Sequence, residues 1–357
     1  MSILFEPYSI GDLEIRNRFV RSATTSAYAD KNGVVRDAAI DLYSNLAKGD
    51  VGLIIKGHLY VLESGKAHKG MAGITHEEHV SRLRELTDAV HEHGGKIAAQ
   101  LNHAGIYHEK DRAGPSEYEG NGWKARALTE DEILDIIQAF GDAAERAAKA
   151  GFDGIQIHGA HGYLISQFLS RLTNRRQDKW GGTLQKRMRL LLRVYDEVRE
   201  QVKDAPVLLK LNCDDFSENG FTIEDSKVVA STMAERGLDM LEISGNGVGK
   251  KKQCESRASH EDSIFANLPF AGYAAEIREA VKPIPTSVVN GFRERKTMEQ
   301  AIEQGLSDLI SMSRPFIREP DLVRKIKHGQ EEVECIRCDA CLGEDVFGEM
   351  MLRCHRD

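Results

Sequence analysis

Four segments of this chain repeat one pattern: KGDVGLIIKG (48–57), KAGFDGIQIHG (149–159), ERGLDMLEISG (235–245) and EQGLSDLISMSR (303–314). Each ends a helical stretch at a glycine, passes an acidic or polar residue and enters a short apolar run. The glycine suits a helix C-cap. An uninterrupted short apolar run suits a strand covered on both faces, as in a parallel sheet. Eight such runs are predicted: Phe19–Ser22, Leu53–Lys56, Ile97–Leu101, Gly154–His158, Val207–Asn212, Met240–Ser244, Thr286–Val289 and Leu309–Met312. Amphipathic helices separate them, the clearest being TEDEILDIIQAFGDAAERAAKAG, which Thr129 and Glu132 open as a capping box. Eight strands alternating with helices predict a (β/α)8 barrel over residues 1–328, with a short cysteine-rich extension over 329–357. A doubly wound open sheet is the alternative, but no G-x-G-x-x-G follows the first strand.

The bulk properties narrow the partners. A formal charge of -8 argues against nucleic acid or an anionic membrane surface. No apolar run approaches the ~20 residues of a membrane span, and the N-terminus lacks a signal-peptide core. Six cysteines, four of them clustered at the end, do not read as a secreted disulfide framework, so a reducing cytoplasm is the expectation.

In such a barrel the chemistry gathers at the C-terminal strand ends. Strand four ends in IQIHGAHGYLISQF, which places His158, His161 and Tyr163 together. The pattern is not H-E-x-x-H, so zinc is disfavoured. Two imidazole N–H groups can hold a carbonyl oxygen and stabilise the charge it gains when hydride adds at the β-carbon. Tyr163, with an ordinary phenol pKa near 10, would stay protonated and could supply the α-carbon's proton. Core histidines satisfied by backbone are the plain alternative. Strand five carries Lys210 within an apolar run, where a cation needs an anion such as reduced isoalloxazine, or else snorkels to water. Gln100 ends strand three with both a donor and an acceptor, which suits a flavin pyrimidine. Thr25, just past strand one, could reach the flavin O4/N5 edge. After strands seven and eight, Gly291, Arg314 and Arg293 suit a phosphate site, or are surface arginines.

Together these positions resemble the Old Yellow Enzyme family of FMN-dependent ene-reductases, over about Leu4 to Leu322. HGAHGYLISQFLSRLTNRRQDKWGG is the most specific element, and RNRF, QLNHAG and SRPFIREP support it. The resemblance implies the same barrel with FMN at its mouth. It implies His158 and His161 on the substrate oxygen and Tyr163 as proton donor. Flavin contacts would come from Ala23, Thr24, Thr25, Gly57 and Gln100 on one side, and from Lys210, Asn290, Gly291, Ser313 and Arg314 on the other. Two positions depart from the family pattern. Lys210 stands where many members have arginine, which loses the bidentate fork, and Ser313 where many have glycine.

The extension reads CIRCDACLGEDVFGEMMLRC, with Cys335, Cys338, Cys341 and Cys354. Longer members similar to 2,4-dienoyl-CoA reductase and trimethylamine dehydrogenase carry a [4Fe–4S] cluster there, although with one more residue before the third cysteine. Three thiolates on a tight loop and a fourth reaching back suit a cubane, and zinc is the alternative for four cysteines.

The leading expectation is an FMN-dependent oxidoreductase, fed by NAD(P)H or a ferredoxin-type donor, that reduces the C=C bond of a small α,β-unsaturated carbonyl or thioester substrate. An amine dehydrogenase or demethylase and a non-catalytic electron-transfer subunit are the rivals. A homo-oligomer is expected, and an outside electron-transfer partner if a cluster is present. Lys250, Lys251 and Lys252 are read as a solvated basic loop, or as a phosphate contact at the mouth.

Overall fold

The structure is a computed structural model and describes residues 2–120, 122–247, 267–342 and 352–355. The lysines at 250, 251 and 252 lie outside the described residues. Eight parallel strands close into a barrel: β1 (Phe19–Arg21), β2 (Leu53–Tyr60), β3 (Ile97–Asn102), β4 (Gly154–Gly159), β5 (Val207–Asn212), β6 (Met240–Ser244), β7 (Thr286–Val289) and β8 (Leu309–Met312). Each strand pairs with its neighbours in sequence, and β8 pairs with β1 to close the ring. The predicted (β/α)8 barrel is therefore the fold, and β5 to β8 have the predicted bounds. The main difference is β2, which runs four residues further. Its register shifts between Lys56 and Leu59, after which Leu59 pairs with Leu101 and Tyr60 with Asn102. An irregularity of this kind re-aims the side chains it carries, and here it carries His58.

The barrel strands are buried at every position, as two-sided cover by side chains and helices requires. Inside the ring, Val20, Leu53, Ile55, Ala98, Leu208, Met240 and Leu309 form one apolar layer. A hairpin of Tyr8–Ile10 and Leu13–Ile15 adds Ile10 and Ile15 to that layer and stops the N-terminal end. Side chains two residues further along a strand face the same way. The next layer up is therefore Ser22, Gln100, Lys210, Glu242 and Ser311, and it is polar. Outside, the helix Glu130–Lys149 begins as predicted: Thr129 Oγ1 accepts the Glu132 N–H at 3.2 Å, and Glu132 returns a carboxylate oxygen to the Thr129 N–H at 2.8 Å.

The hairpin and the small sheet of Ala113–Gly114, Tyr118–Gly120 and Trp123–Ala127 have no counterpart in the sequence reading. Their strands are two to five residues long, too short for a periodic signal.

The start of the extension lies against the loop after β7. The Val333 N–H donates to the Arg293 carbonyl at 2.8 Å, and the Arg295 N–H to Glu331 at 2.8 Å. Glu319, 1% exposed, accepts from the Glu334 N–H at 2.7 Å and from the Gln330 amide at 2.8 Å. Further on, Tyr28 in the loop after β1 donates its hydroxyl to the Leu352 carbonyl at 2.5 Å. No helix among the described residues is long and apolar enough to cross a membrane.

Glu319→Ala removes the acceptor for two of these donors at once. We expect faster hydrogen exchange over residues 330–335, with barrel strands still protected, and a stability loss of about 1–3 kcal/mol. Unchanged exchange there would mean that backbone pairing with residues 293–295 suffices.

Candidate functional site

The C-terminal strand ends surround a cavity of about 690 Å³. Ala23, Thr25, Gln100, Lys210, Asn290, Gly291, Ser313 and Arg314 line it, as do His158, His161 and Tyr163. The structure thus brings eleven of the thirteen predicted flavin and substrate residues to one surface. Thr24 and Gly57 are not part of that surface. Thr24 turns its hydroxyl to the guanidinium of buried Arg21. Gly57 lies so close to this turn that a Cβ would come within 2.5 Å of the Thr24 nitrogen. The two fix how β1 and β2 meet, one layer behind the cavity.

The floor of the cavity is a directed hydrogen-bond chain. Gln100 Nε2 donates to Gln156 Oε1 at 2.7 Å, and Gln156 Nε2 to Glu242 Oε2 at 3.1 Å. Lys210 Nζ reaches the same carboxylate oxygen at 3.1 Å and Ser22 Oγ at 2.7 Å. The anion that Lys210 needs, expected from sequence to be a ligand, is supplied by the fold itself. Lys210 and Glu242 occupy paired positions on β5 and β6 and are 2% and 0% exposed. Burial opposes the charge on Glu242, yet the Lys210 ammonium and the hydroxyls of Ser22 and Ser311 outweigh it and lower its pKa. Because Gln156 takes one amide proton of Gln100, the Gln100 carbonyl remains available as an acceptor.

The substrate-side wall comprises His158, His161 and Tyr163, joined by His58, His68 and Tyr107. His161 and Gly162 both have left-handed backbone, with φ of 61° and 72°. The His161 N–H is tied to Asn212 Oδ1 at 3.1 Å. This kink follows β4 directly and turns the chain so that Tyr163 faces the same cavity as His158, their ring centroids 5.1 Å apart. His161 Nε2 meets Ser244 Oγ at 2.7 Å. Burial, then the neighbouring His161, His58 and Lys210, holds the pKa of His158 well below the usual imidazole value. It is therefore neutral and offers one N–H. Burial pushes the Tyr163 phenol up to about 12, Tyr107 adds to this, and a hydrogen bond with Thr25 opposes it. The ordinary phenol value near 10 expected from sequence therefore does not hold: Tyr163 is a weaker acid than a free phenol and remains protonated over a wider range.

At the far side, Arg314 donates to Asn290 Oδ1 at 3.3 Å and forms an ion pair with Asp339. Asp339 belongs to the cysteine loop, so the same guanidinium touches the cavity and the extension. Cys335 lines both this cavity and a second one of about 200 Å³, which Cys338, Cys341 and Cys354 share. Among the described residues no three His, Cys, Asp or Glu side chains converge as ligands of a single metal ion. All four cysteines line this second cavity. Left-handed backbone at Arg337 and Asp339 curls the loop around it. Burial, then the neighbouring Cys335, raises the pKa of Cys341.

Sequence reasoning missed His58, His68, Tyr107, Glu242 and Ser244. His58 had a legible signal, KGH at the end of an apolar run, but the predicted strand stopped at Lys56. Glu242 sits inside the apolar run MLEIS, and the rule that flagged Lys210 flags it as well.

Residues 3–332 match the NADH:flavin oxidoreductase / NADH oxidase family. The chain belongs to this family. A curated member, the NADH oxidase of Thermoanaerobacter brockii, is 37% identical over 98% of this chain and 55% of its own length. A 2-naphthoyl-CoA reductase solved with 2-naphthoyl-CoA superposes with a TM-score of 0.89 at 27% identity, over 99% of this chain and 56% of that one. An old yellow enzyme homologue from Zymomonas mobilis gives 0.79 at 27% identity, over 93% and 95%. The chain thus spans about half the length of the NADH oxidase and reductase it matches, and nearly all of the shorter homologue. The family's flavin fits the residues present: an amide floor, a neutral imidazole–phenol wall, and Arg314 with Asn290 at the opposite end.

The buried pair gives a stability prediction. Glu242→Gln leaves the Lys210 ammonium without its carboxylate and should cost about 3–5 kcal/mol, much of which Lys210→Met in the same chain should restore. The lowered pKa of Glu242 means that its contribution is complete above the unfolded carboxylate value near 4.3. It is lost only as pH falls through the lower folded value. Urea midpoints for the single and double variants at neutral and acid pH measure both effects.

Proposed function

We propose that this chain binds FMN in the barrel mouth and reduces the C=C bond of α,β-unsaturated carbonyl or thioester compounds, with NAD(P)H or a ferredoxin-type donor as the electron source. The observation that carries this reading is one cavity in which neutral His158 and protonated Tyr163 lie 5.1 Å apart and which Gln100, Lys210 and Arg314 also line. Bound FMN would supply hydride from its reduced ring.

His158 and His161 bind the substrate oxygen and stabilise the negative charge that grows on it. Tyr163 delivers its phenolic proton to the α-carbon and is reprotonated from solvent. Gln100 offers its carbonyl to a ring N–H, and Lys210, already paired, adds positive potential beneath the ring. Arg314 takes the phosphate, with Asn290 orienting the guanidinium. The structural neighbour that binds 2-naphthoyl-CoA supports an acyl thioester, and the NADH oxidase relative supports NADH. Neither an amine substrate nor a role without turnover gains support from the oxygen-binding wall.

The purified protein should carry one FMN per chain, and an enone should reoxidise the reduced flavin. Tyr163→Phe should slow that reoxidation by roughly 10²–10⁴-fold and leave reduction by NAD(P)H nearly intact. The phenol holds its proton to about pH 12, so wild-type reoxidation should show no downward inflection near pH 10. His158 stays neutral, so phenolic ligands should bind without an inflection near pH 6.5. Colourless protein that takes up no FMN would overturn the assignment, and equal losses in both half-reactions would remove Tyr163 as the acid.

The four cysteines are proposed to hold a [4Fe–4S] cluster, because three lie on one tight loop and all four line a single cavity. Anaerobic preparation should give about four irons per chain and broad absorbance near 400 nm beneath the flavin bands. One zinc and no iron from an iron-replete preparation would decide for a tetrahedral site.

A further inference from the structure

Two buried ring nitrogens beside the cavity have no hydrogen-bond partner among the described residues: Nε2 of His58 and Nδ1 of His158. A buried polar group left unpaired costs about 1–3 kcal/mol, so two of them on neighbouring rings call for a common account. The two rings stand nearly perpendicular, at 86°, with centroids 6.1 Å apart.

Their hydrogen-bonding capacities are complementary. Asn102 Nδ2 lies 2.8 Å from His58 Nδ1, and an amide nitrogen only donates. His58 Nδ1 is therefore an acceptor. The pKa of His58 is held well below the usual value by burial and by His68, Lys56 and His161, so the ring is neutral and carries its single proton on Nε2. His158 is neutral as well. If its Nδ1 accepts, its own proton must sit on Nε2. The two nitrogens are not bonded to each other in the structure, but catalytic hydrogen bonds are often long or poorly aligned before substrate binds and tighten when it does.

We propose that His58 is a positioning residue that donates from Nε2 to His158 Nδ1, and so fixes the His158 proton on Nε2, where it can meet the substrate oxygen. The relay runs Asn102, His58, His158, substrate, each group donating to the next. The inference rests on the reading of His158 as the oxygen-binding donor. It assigns the register shift in β2 a purpose, because that shift places His58 beside strand four.

The test is the tautomer itself. In FMN-loaded protein with 15N-labelled histidine, His158 should carry its proton on Nε2 when a substituted phenol is bound. His58→Leu should turn this into a mixture or reverse it. His58→Gln, whose amide N–H reaches the same side, should restore it. Asn102→Leu releases His58 without removing a ring and provides a second route if His58→Leu folds poorly. Enone reoxidation should fall at least about tenfold in His58→Leu, short of the ~10²–10³ expected for deleting an oxyanion donor outright. Reduction by NAD(P)H should not change. An unaltered His158 tautomer in both His58→Leu and Asn102→Leu would overturn the proposal, as would equal losses in the two half-reactions. If no enone reoxidises the wild-type flavin, the proposed function fails, while the tautomer measurement still decides the role of His58.

Discussion

The cavity depends on a buried ion pair inside the barrel. Lys210 and Glu242 lie side by side on β5 and β6, directly above an apolar layer and out of reach of water. Neither charge is tolerable there alone, and the pair holds only because Ser22 and Gln156 satisfy further valences. With the pair in place, Gln156 must donate to Glu242 and Gln100 must donate to Gln156. The floor offered to a planar ring is thereby fixed in orientation from below. A ligand entering the mouth meets prearranged dipoles, which is the condition for strong electrostatic stabilisation.

The opposite wall works by neutrality. Burial lowers the pKa of His158 and His58 and raises that of Tyr163 and Tyr107, because it disfavours the charged form of each. Burial therefore leaves both imidazoles as single donors and both phenols protonated. Such a wall can accept negative charge on a substrate oxygen without holding a counter-charge beforehand. The cation that attracts charge lies below, at Lys210, and is already compensated.

The extension is tied to the mouth at several points. Residues 331–333 pair with the loop after β7, Glu319 caps the turn into the cysteine loop, and Asp339 takes the guanidinium of Arg314. Cys335 lines both cavities. Any group held by the four cysteines would thus sit one side chain away from a ligand in the barrel.

The sequence alone determined the barrel, because each strand is short and apolar and four of the eight follow the same glycine-bounded turn. That signal is local, and β5 to β8 could be delimited from it to the residue. It also marked the strand-end residues, since a lysine, glutamine or histidine stands out at the edge of an apolar run. Which residues pair between strands was not legible. That Lys210 finds Glu242, and that Thr24 and Gly57 lie off the cavity surface, follows from the register and packing of neighbouring strands that whole helices separate in the chain. His58 was hidden by a register shift, and the hairpins by strands too short to carry a period. The pKa of Tyr163 depends on which rings close around it. Those are properties of packing, and only the tertiary structure decided them.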